Sequence, residues 1–179
     1  EAIRENRAQV VTDHIDHITS DGIALKSGTH LQADIIVLAT GLNLLFMGDM
    51  KLTVDGKEVV PSEHFVYRGM MLSDVPNMAQ ALGYTNSSWT LKADLTAQYV
   101  CRILKYMRRK GKNTAVPVLN PDEVTEEPIF DFTSGYIQRS VEQFPRQAKE
   151  VPWRVYQNYF KDLFSLRFSS LTRTALKFR

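Results

Sequence analysis

The sequence predicts an α/β fold, and three stretches carry that expectation. Residues 34–43, DIIVLATGLN, contain the unbroken apolar run Ile35-Ile36-Val37-Leu38, rich in β-branched side chains, which predicts a strand buried on both faces. Residues 20–33 set two turn signals, Ser20-Asp21-Gly22 and Ser27-Gly28, around Ile23 and Leu25, which alternate with less apolar neighbours, so a hairpin is expected to lead into that strand. Residues 83–111, GYTNSSWTLKADLTAQYVCRILKYMRRKG, repeat Leu91, Leu95, Val100, Ile103, Leu104 and Met107 at helical spacing and predict a long amphipathic helix.

In chain order, residues 1–7 read as the end of a helix, and Val10-Val11 and residues 15–18 as short strands or extended segments. His14 and His17 lack the helical context and the further ligands that a metal site needs, so both are expected in solvent and no metal is expected. The buried strand should stop at Ala39-Thr40-Gly41, where small residues let a ligand or another backbone segment approach closely. Residues 44–50 read as an apolar loop. Asp55-Gly56 is the turn of a hairpin over residues 52–60. FVYRGMM, residues 65–71, reads as one strand, Val75-Pro76-Asn77 as a turning or extended link, and residues 78–82 as a short apolar segment before the helix.

Asn86, Ser87 and Ser88 are all competent helix caps, and Lys105, Arg108, Arg109 and Lys110 gather at the far end before Gly111. That is the charge order the helix dipole favours, closed by the residue that best ends a helix. Free amides at such a helix start also suit partial negative charge on a ligand. The cluster of lysines and arginines at residues 105–112 has no interleaved aromatics, so it reads as a solvated helix end and no nucleic-acid partner is expected. Residues 113–127, with Pro117 and Pro121, read as a surface connection. Asp131 to Ser134 offer caps to a helical stretch at residues 135–142, and Pro145 ends it. Tyr136, Gln138 and Arg139 are candidates to border a substrate channel or, more plainly, to brace a terminal helix. The last twenty residues combine Phe160, Phe164, Phe168 and Phe178 with Lys161, Arg167, Arg173, Lys177 and Arg179. Docking on the protein's own surface is the favoured reading, with a basic membrane-surface segment as the other.

A chain of 179 residues, 44% of them apolar, is long enough to bury a core, and a net charge of +2 marks no acidic or nucleic-acid partner. The single Cys101 excludes an internal disulfide and is expected to be a buried, inert thiol in the helix. No apolar run reaches the ~20 residues of a membrane helix. A cytoplasmic location is therefore the expectation, and a membrane partner is not expected. The nine glycines are too widely spaced for a phosphate-binding turn, and the chain opens at Glu1 inside a helix-like segment. We therefore expect it to be one part of a longer protein whose amino-terminal part is its first partner.

The residues Asp21, Gly22, Leu25, Gly28, Leu31, Ala33, Asp34, Ala39, Thr40 and Gly41 match the pattern D-G-hydrophobic-x-L-x-x-G-x-x-L-x-A-D, apolar run, A-T-G. That pattern resembles the return from the nicotinamide domain to the flavin domain in flavin-containing and Baeyer–Villiger monooxygenases. The later succession of DF, SGYIQR, a proline turn and PW is similar to the end of bacterial members. The resemblance implies the carboxy-terminal part of a Rossmann-like flavoprotein with two dinucleotide-binding domains, its sheet incomplete and its tail helical. It divides the chain into the end of the NADP domain at residues 1–33, part of the FAD domain at 34–112 and a helical extension at 113–179.

The implied activity is FAD- and NADPH-dependent transfer of one oxygen atom from O2 to an organic substrate, at a ketone or a soft nitrogen or sulfur centre. Both cofactors would bind only the full-length protein, and the fragment alone is expected to be inactive. Thr40, Gly41, Asn86, Ser87, Ser88 and Trp89 are the implied cofactor contacts, and no catalytic residue is assigned. Another two-domain FAD/NAD(P) reductase, or a noncatalytic interaction module on the same half-fold, are the alternatives.

Overall fold

The computed structural model describes residues 1–129 and 134–179, and the chain divides into two compact units, residues 1–41 and 42–179. Of the expected caps at Asp131 to Ser134 and the DF pair, Asp131, Phe132 and Thr133 lie outside the described residues.

The first unit is an antiparallel meander of β1 (Ile15–Ile18), β2 (Gly22–Leu25) and β3 (His30–Gln32). β2 and β3 form the expected hairpin, with Ile23 opposite Leu31 and its turn closed by Gly28 N–H donating to the Leu25 carbonyl at 2.9 Å. Residues 1–7 form helical turns rather than an assigned helix, with Glu5 N–H donating to the Glu1 carbonyl. The buried strand expected after β3 is not there. Residues 35–41 carry no regular structure, and Ile35, Val37 and Leu38 are 82%, 83% and 77% exposed. A strand buried on both faces needs ladder partners and a layer on each side, and among the described residues no strand pairs with this run.

In the second unit, β4 (Leu52–Val54) and β5 (Lys57–Val59) join through Asp55 and Gly56, both at positive φ (51° and 78°), as a tight hairpin turn of this chemistry requires. The stretch read as one strand at 65–71 is instead a second, tighter hairpin, β6 (Val66–Tyr67) and β7 (Met71–Leu72). Its turn is closed by Met70 N–H on the Tyr67 carbonyl at 3.0 Å, with Arg68 and Gly69 both left-handed. An arginine in that conformation is a weak sequence signal. This hairpin is the element buried on both faces. Val66 and Leu72 pack with Phe46, Val59 and Phe144, while Tyr67 and Met71 pack with Leu95, Tyr99, Trp153 and Leu166 in a second cluster. Residues 78–82 run without a ladder, held by Gln80 N–H on the Met70 carbonyl at 2.7 Å.

α1 (Trp89–Lys110) matches the expected helix at both ends, with Ser88 at its start and Gly111 left-handed at its close. Its buried stripe is Lys92, Leu95, Thr96, Tyr99 and Ile103, so Leu91 and Leu104, expected on the core face, are exposed. Cys101 lies off that stripe and is exposed, not buried as expected. Residues 113–127 are more than a surface connection, because β8 (Ala115–Pro117) is fully buried. β9 (Glu126–Glu127), α2 (Gly135–Gln138), β10 (Gln147–Ala148) and α3 (Tyr159–Phe168) follow, and β11 (Leu176–Phe178) pairs antiparallel with β8. The tail is therefore mixed rather than purely helical, and its last strand docks on this chain. α3 packs along α1 and is capped by Asn158, whose side chain accepts from Lys161 N–H at 3.0 Å. Phe160, Phe164 and Phe168 stay exposed.

Candidate functional site

A cavity of about 600 Å³ lies in the second unit against the start of α1. Its wall is mostly apolar and aromatic, from residues 44–47 and 80–85 with Trp89, Tyr136, Ile137 and Phe144, and with Ser134 beside them. That size and lining suit a small organic ligand or the flat part of a cofactor. One polar group there is unanswered: Gln80 Nε2 is buried and has no hydrogen-bond partner among the described residues. Trp89 is held by a close approach. A Cβ on Gly83 would come within 2.5 Å of the indole, so only glycine leaves the ring its place.

Of the residues expected to contact a cofactor, only Trp89 lines this cavity. Asn86 does not cap α1; its side-chain amide donates to the Gln157 carbonyl at 3.1 Å, and Thr85 beside it donates to the Gln157 side chain. Ser88 stands at the cap position, yet its hydroxyl bonds the Thr90 hydroxyl at 2.8 Å and caps no amide. Ser87 is exposed. The opening amides of α1 are thus left without a side-chain cap from Ser88, which is where a helix best receives negative charge. Thr40 and Gly41 close the first unit, both exposed, with Gly41 at φ 92°. Tyr136 lines the cavity, whereas Gln138 and Arg139 are exposed on and after α2. His14 and His17 are exposed, and no group of three or more possible metal ligands occurs among the described residues.

Behind the cavity wall sits a buried polar chain that the sequence reading missed. Tyr84, itself part of the wall, donates its hydroxyl to Asp162 at 2.8 Å, and Asp162 pairs with Lys92 at 2.7 Å. Both side chains of the pair are almost fully buried. Burial pushes the Lys92 ammonium below its usual range, against the opposing pull of Asp162. Burial, and then the Asp162 carboxylate, push the Tyr84 phenol up. Next to this chain, the Tyr67 hydroxyl meets the Tyr99 hydroxyl at 2.9 Å, and Tyr99 is raised by burial and by Tyr67. The signal for Lys92 was in the spacing. It stands three, seven and eleven residues before Leu95, Tyr99 and Ile103, on the face that packs inward.

Comparison with known proteins gives the chain a setting. The protein named FAD-containing monooxygenase EthA of Mycobacterium tuberculosis is 46% identical over 177 residues, covering 99% of this chain and 36% of that protein. The EthA protein of Mycolicibacterium smegmatis is 46% identical over 176 residues, 98% of this chain and 36% of its own length. The protein named Probable FAD-binding monooxygenase AlmA, from Acinetobacter sp, is 41% identical over 178 residues, 99% of this chain and 36% of its length. The chain therefore spans about a third of the curated relatives it matches. No family model matches it, and no solved structure does.

The cavity wall fits the group those names contain. A flavin ring is flat and apolar on its faces, and it carries carbonyl acceptors along one edge. The wall offers aromatic sides and a helix start close by at Trp89, and Gln80, one of its residues, holds a buried amide nitrogen without a partner among the described residues.

Proposed function

Homologous along nearly its whole length to a part of FAD-containing monooxygenases, this chain is, we propose, the part of such an enzyme that walls one side of the flavin ring. The reading extends to the whole protein as an enzyme that uses NADPH and O2 to put one oxygen atom into a small organic substrate. Its finer architecture is proposed as that of a Rossmann-like protein with two dinucleotide-binding domains. Residues 1–33 would end the NADP domain, 34–112 would continue the FAD domain and 113–179 would form an extension. A cytoplasmic location goes with that reading, and no described helix is long and apolar enough to cross a membrane.

Bound FAD would supply the redox chemistry, taking two electrons from NADPH and passing them to O2, one oxygen atom of which leaves as water. Everything else is asked of the protein. Trp89 and Tyr84 would flank the ring, and Gln80 would satisfy its amide on a ring acceptor. The opening amides of α1 near Asn86, Ser87 and Ser88 would favour negative charge on the ring when it is reduced. The apolar wall from Leu44 to Met47 would keep water from the reacting face. Thr40 and Gly41 are proposed as cofactor contacts on the family resemblance.

The observation that carries the proposal is the 46% identity over 99% of this chain to an FAD-containing monooxygenase, together with an aromatic cavity at the start of α1. The test is Gln80→Leu and Trp89→Ala in the full-length protein, with bound flavin per chain, flavin potential and NADPH consumption measured. Flavin content should fall several-fold or the potential shift downward. Unchanged flavin content, potential and NADPH consumption in both variants would overturn the assignment.

A further inference from the structure

Four cations gather around α3, and one buried carboxylate answers them. Lys92 takes Asp162. Arg102 is engaged by the end of α3, donating through Nη1 to the Leu166 carbonyl and through Nη2 to the Ser169 carbonyl, where the helix carries partial negative charge. Arg68 is only 7% exposed and has neutral partners alone: Nε donates to the Tyr67 hydroxyl at 3.2 Å, and Nη1 to the Ser165 carbonyl and hydroxyl at 3.1 and 2.5 Å. The faces of Tyr67 and Tyr99 lie 5.6 and 5.7 Å from its guanidinium carbon. No carboxylate pairs with it among the described residues, and its Nη2 donates to none of them. A guanidinium this deep with no counter-charge is costly unless an anion comes to it.

Arg68 borders a cavity of about 420 Å³ whose other lining residues are Val151, Tyr156, Lys161, Ser165 and Ser169. None is acidic. Lys161, Ser165 and Ser169 follow one another at four-residue spacing, so they form a single row along α3 and its cap. Lys161 stands 5.4 Å from the centre of the Tyr156 ring and pairs with no carboxylate among the described residues. The Ser169 hydroxyl is buried and has no hydrogen-bond partner among the described residues.

We propose that this cavity is a binding site for a phosphate group. Two cations match the nearly doubly negative charge of a phosphate near neutral pH. Three donors without an anion, Arg68 Nη2, Lys161 Nζ and Ser169 Oγ, match its three terminal oxygens. With Nε and Nη1 held by Tyr67 and Ser165, Arg68 offers Nη2 as a single charge-assisted donor. The phosphate can arrive free or esterified in solution, or as the headgroup of an anionic lipid. The lipid source deserves its own arm because the adjacent row Phe160, Phe164 and Phe168 is 68%, 64% and 69% exposed on the same helix.

The test uses the intact chain, since Arg68 is a buried brace and its replacement risks the fold. Lys161→Ala and Ser169→Ala remove side-chain donors that hydrogen-bond no other described residue, the first also removing the contact of Lys161 with the Tyr156 ring. Inorganic phosphate is titrated calorimetrically at constant ionic strength, and co-sedimentation is measured with phosphatidylcholine vesicles with and without phosphatidic acid, whose headgroup is a phosphate monoester. Saturable phosphate binding, weakened about tenfold in Lys161→Ala and also weakened in Ser169→Ala, supports the site with a soluble ligand. Sedimentation with the anionic vesicles alone, lost in the same variants, supports it with a lipid headgroup. No binding in either arm, or equal binding by wild type and variants, overturns it.

Discussion

At the scale of single residues, the Lys92–Asp162 pair governs how the cavity wall is held, because Tyr84 hangs from the same carboxylate. Asp162→Asn keeps the shape but strands a buried ammonium, and should cost about 3–5 kcal/mol in urea unfolding. A loss below about 1 kcal/mol would be the behaviour of a solvated pair instead. The raised phenols give a second, independent reading. A tyrosine that stays protonated to higher pH in the folded chain lends stability that is whole below its ordinary value of 10.0, and that stability is lost as the pH climbs through the higher folded value. Ultraviolet titration of phenolate should therefore find Tyr84 and Tyr99 ionising late, and stability should fall above pH 10.0. Neither tyrosine was legible in the sequence, since nothing local distinguishes a phenol aimed at a carboxylate seventy-eight residues away, as Tyr84 is, or at another phenol thirty-two residues away, as Tyr99 is.

At the scale of elements, what could be read was what neighbouring residues decide. Asp55-Gly56 and Ser27-Gly28 announce their turns, and the charges and Gly111 announce the end of α1. What could not be read was decided from afar. Residues 35–38 have the composition of an inner strand, but lack a ladder partner among the described residues, while the true inner hairpin turns at Arg68-Gly69, an unusual pair for the purpose. β8 was hidden because its partner is the distant β11. The ends of α1 make unequal demands. Ser88→Ala should cost less than about 0.5 kcal/mol, below the usual range for a lost cap, because its hydroxyl binds Thr90 and no amide. Gly111→Ala, at φ 60°, should cost about 1 kcal/mol because an L side chain resists that conformation. Thermal unfolding of the two variants side by side tests the order.

At the scale of the whole chain, the second unit is built as two apolar clusters sharing the β6–β7 hairpin as their common wall. The clusters could be anticipated from composition, but not their division, which depends on alternate residues of a two-residue ladder facing opposite ways. One cluster is closed by β11, where Leu176 is 1% exposed and pairs with β8. Ending the chain at Thr174 should therefore lower stability by about 2–5 kcal/mol, the range for removing one large core side chain, as read from the urea midpoint.

The bare apolar run at Ile35, Val37 and Leu38 has a practical effect on how this polypeptide will behave in a tube. Uncharged, β-branched and lacking proline, it is the kind of ribbon that zips onto its like. Light scattering should climb with protein concentration, and a lysine at Val37 should keep the solution clear.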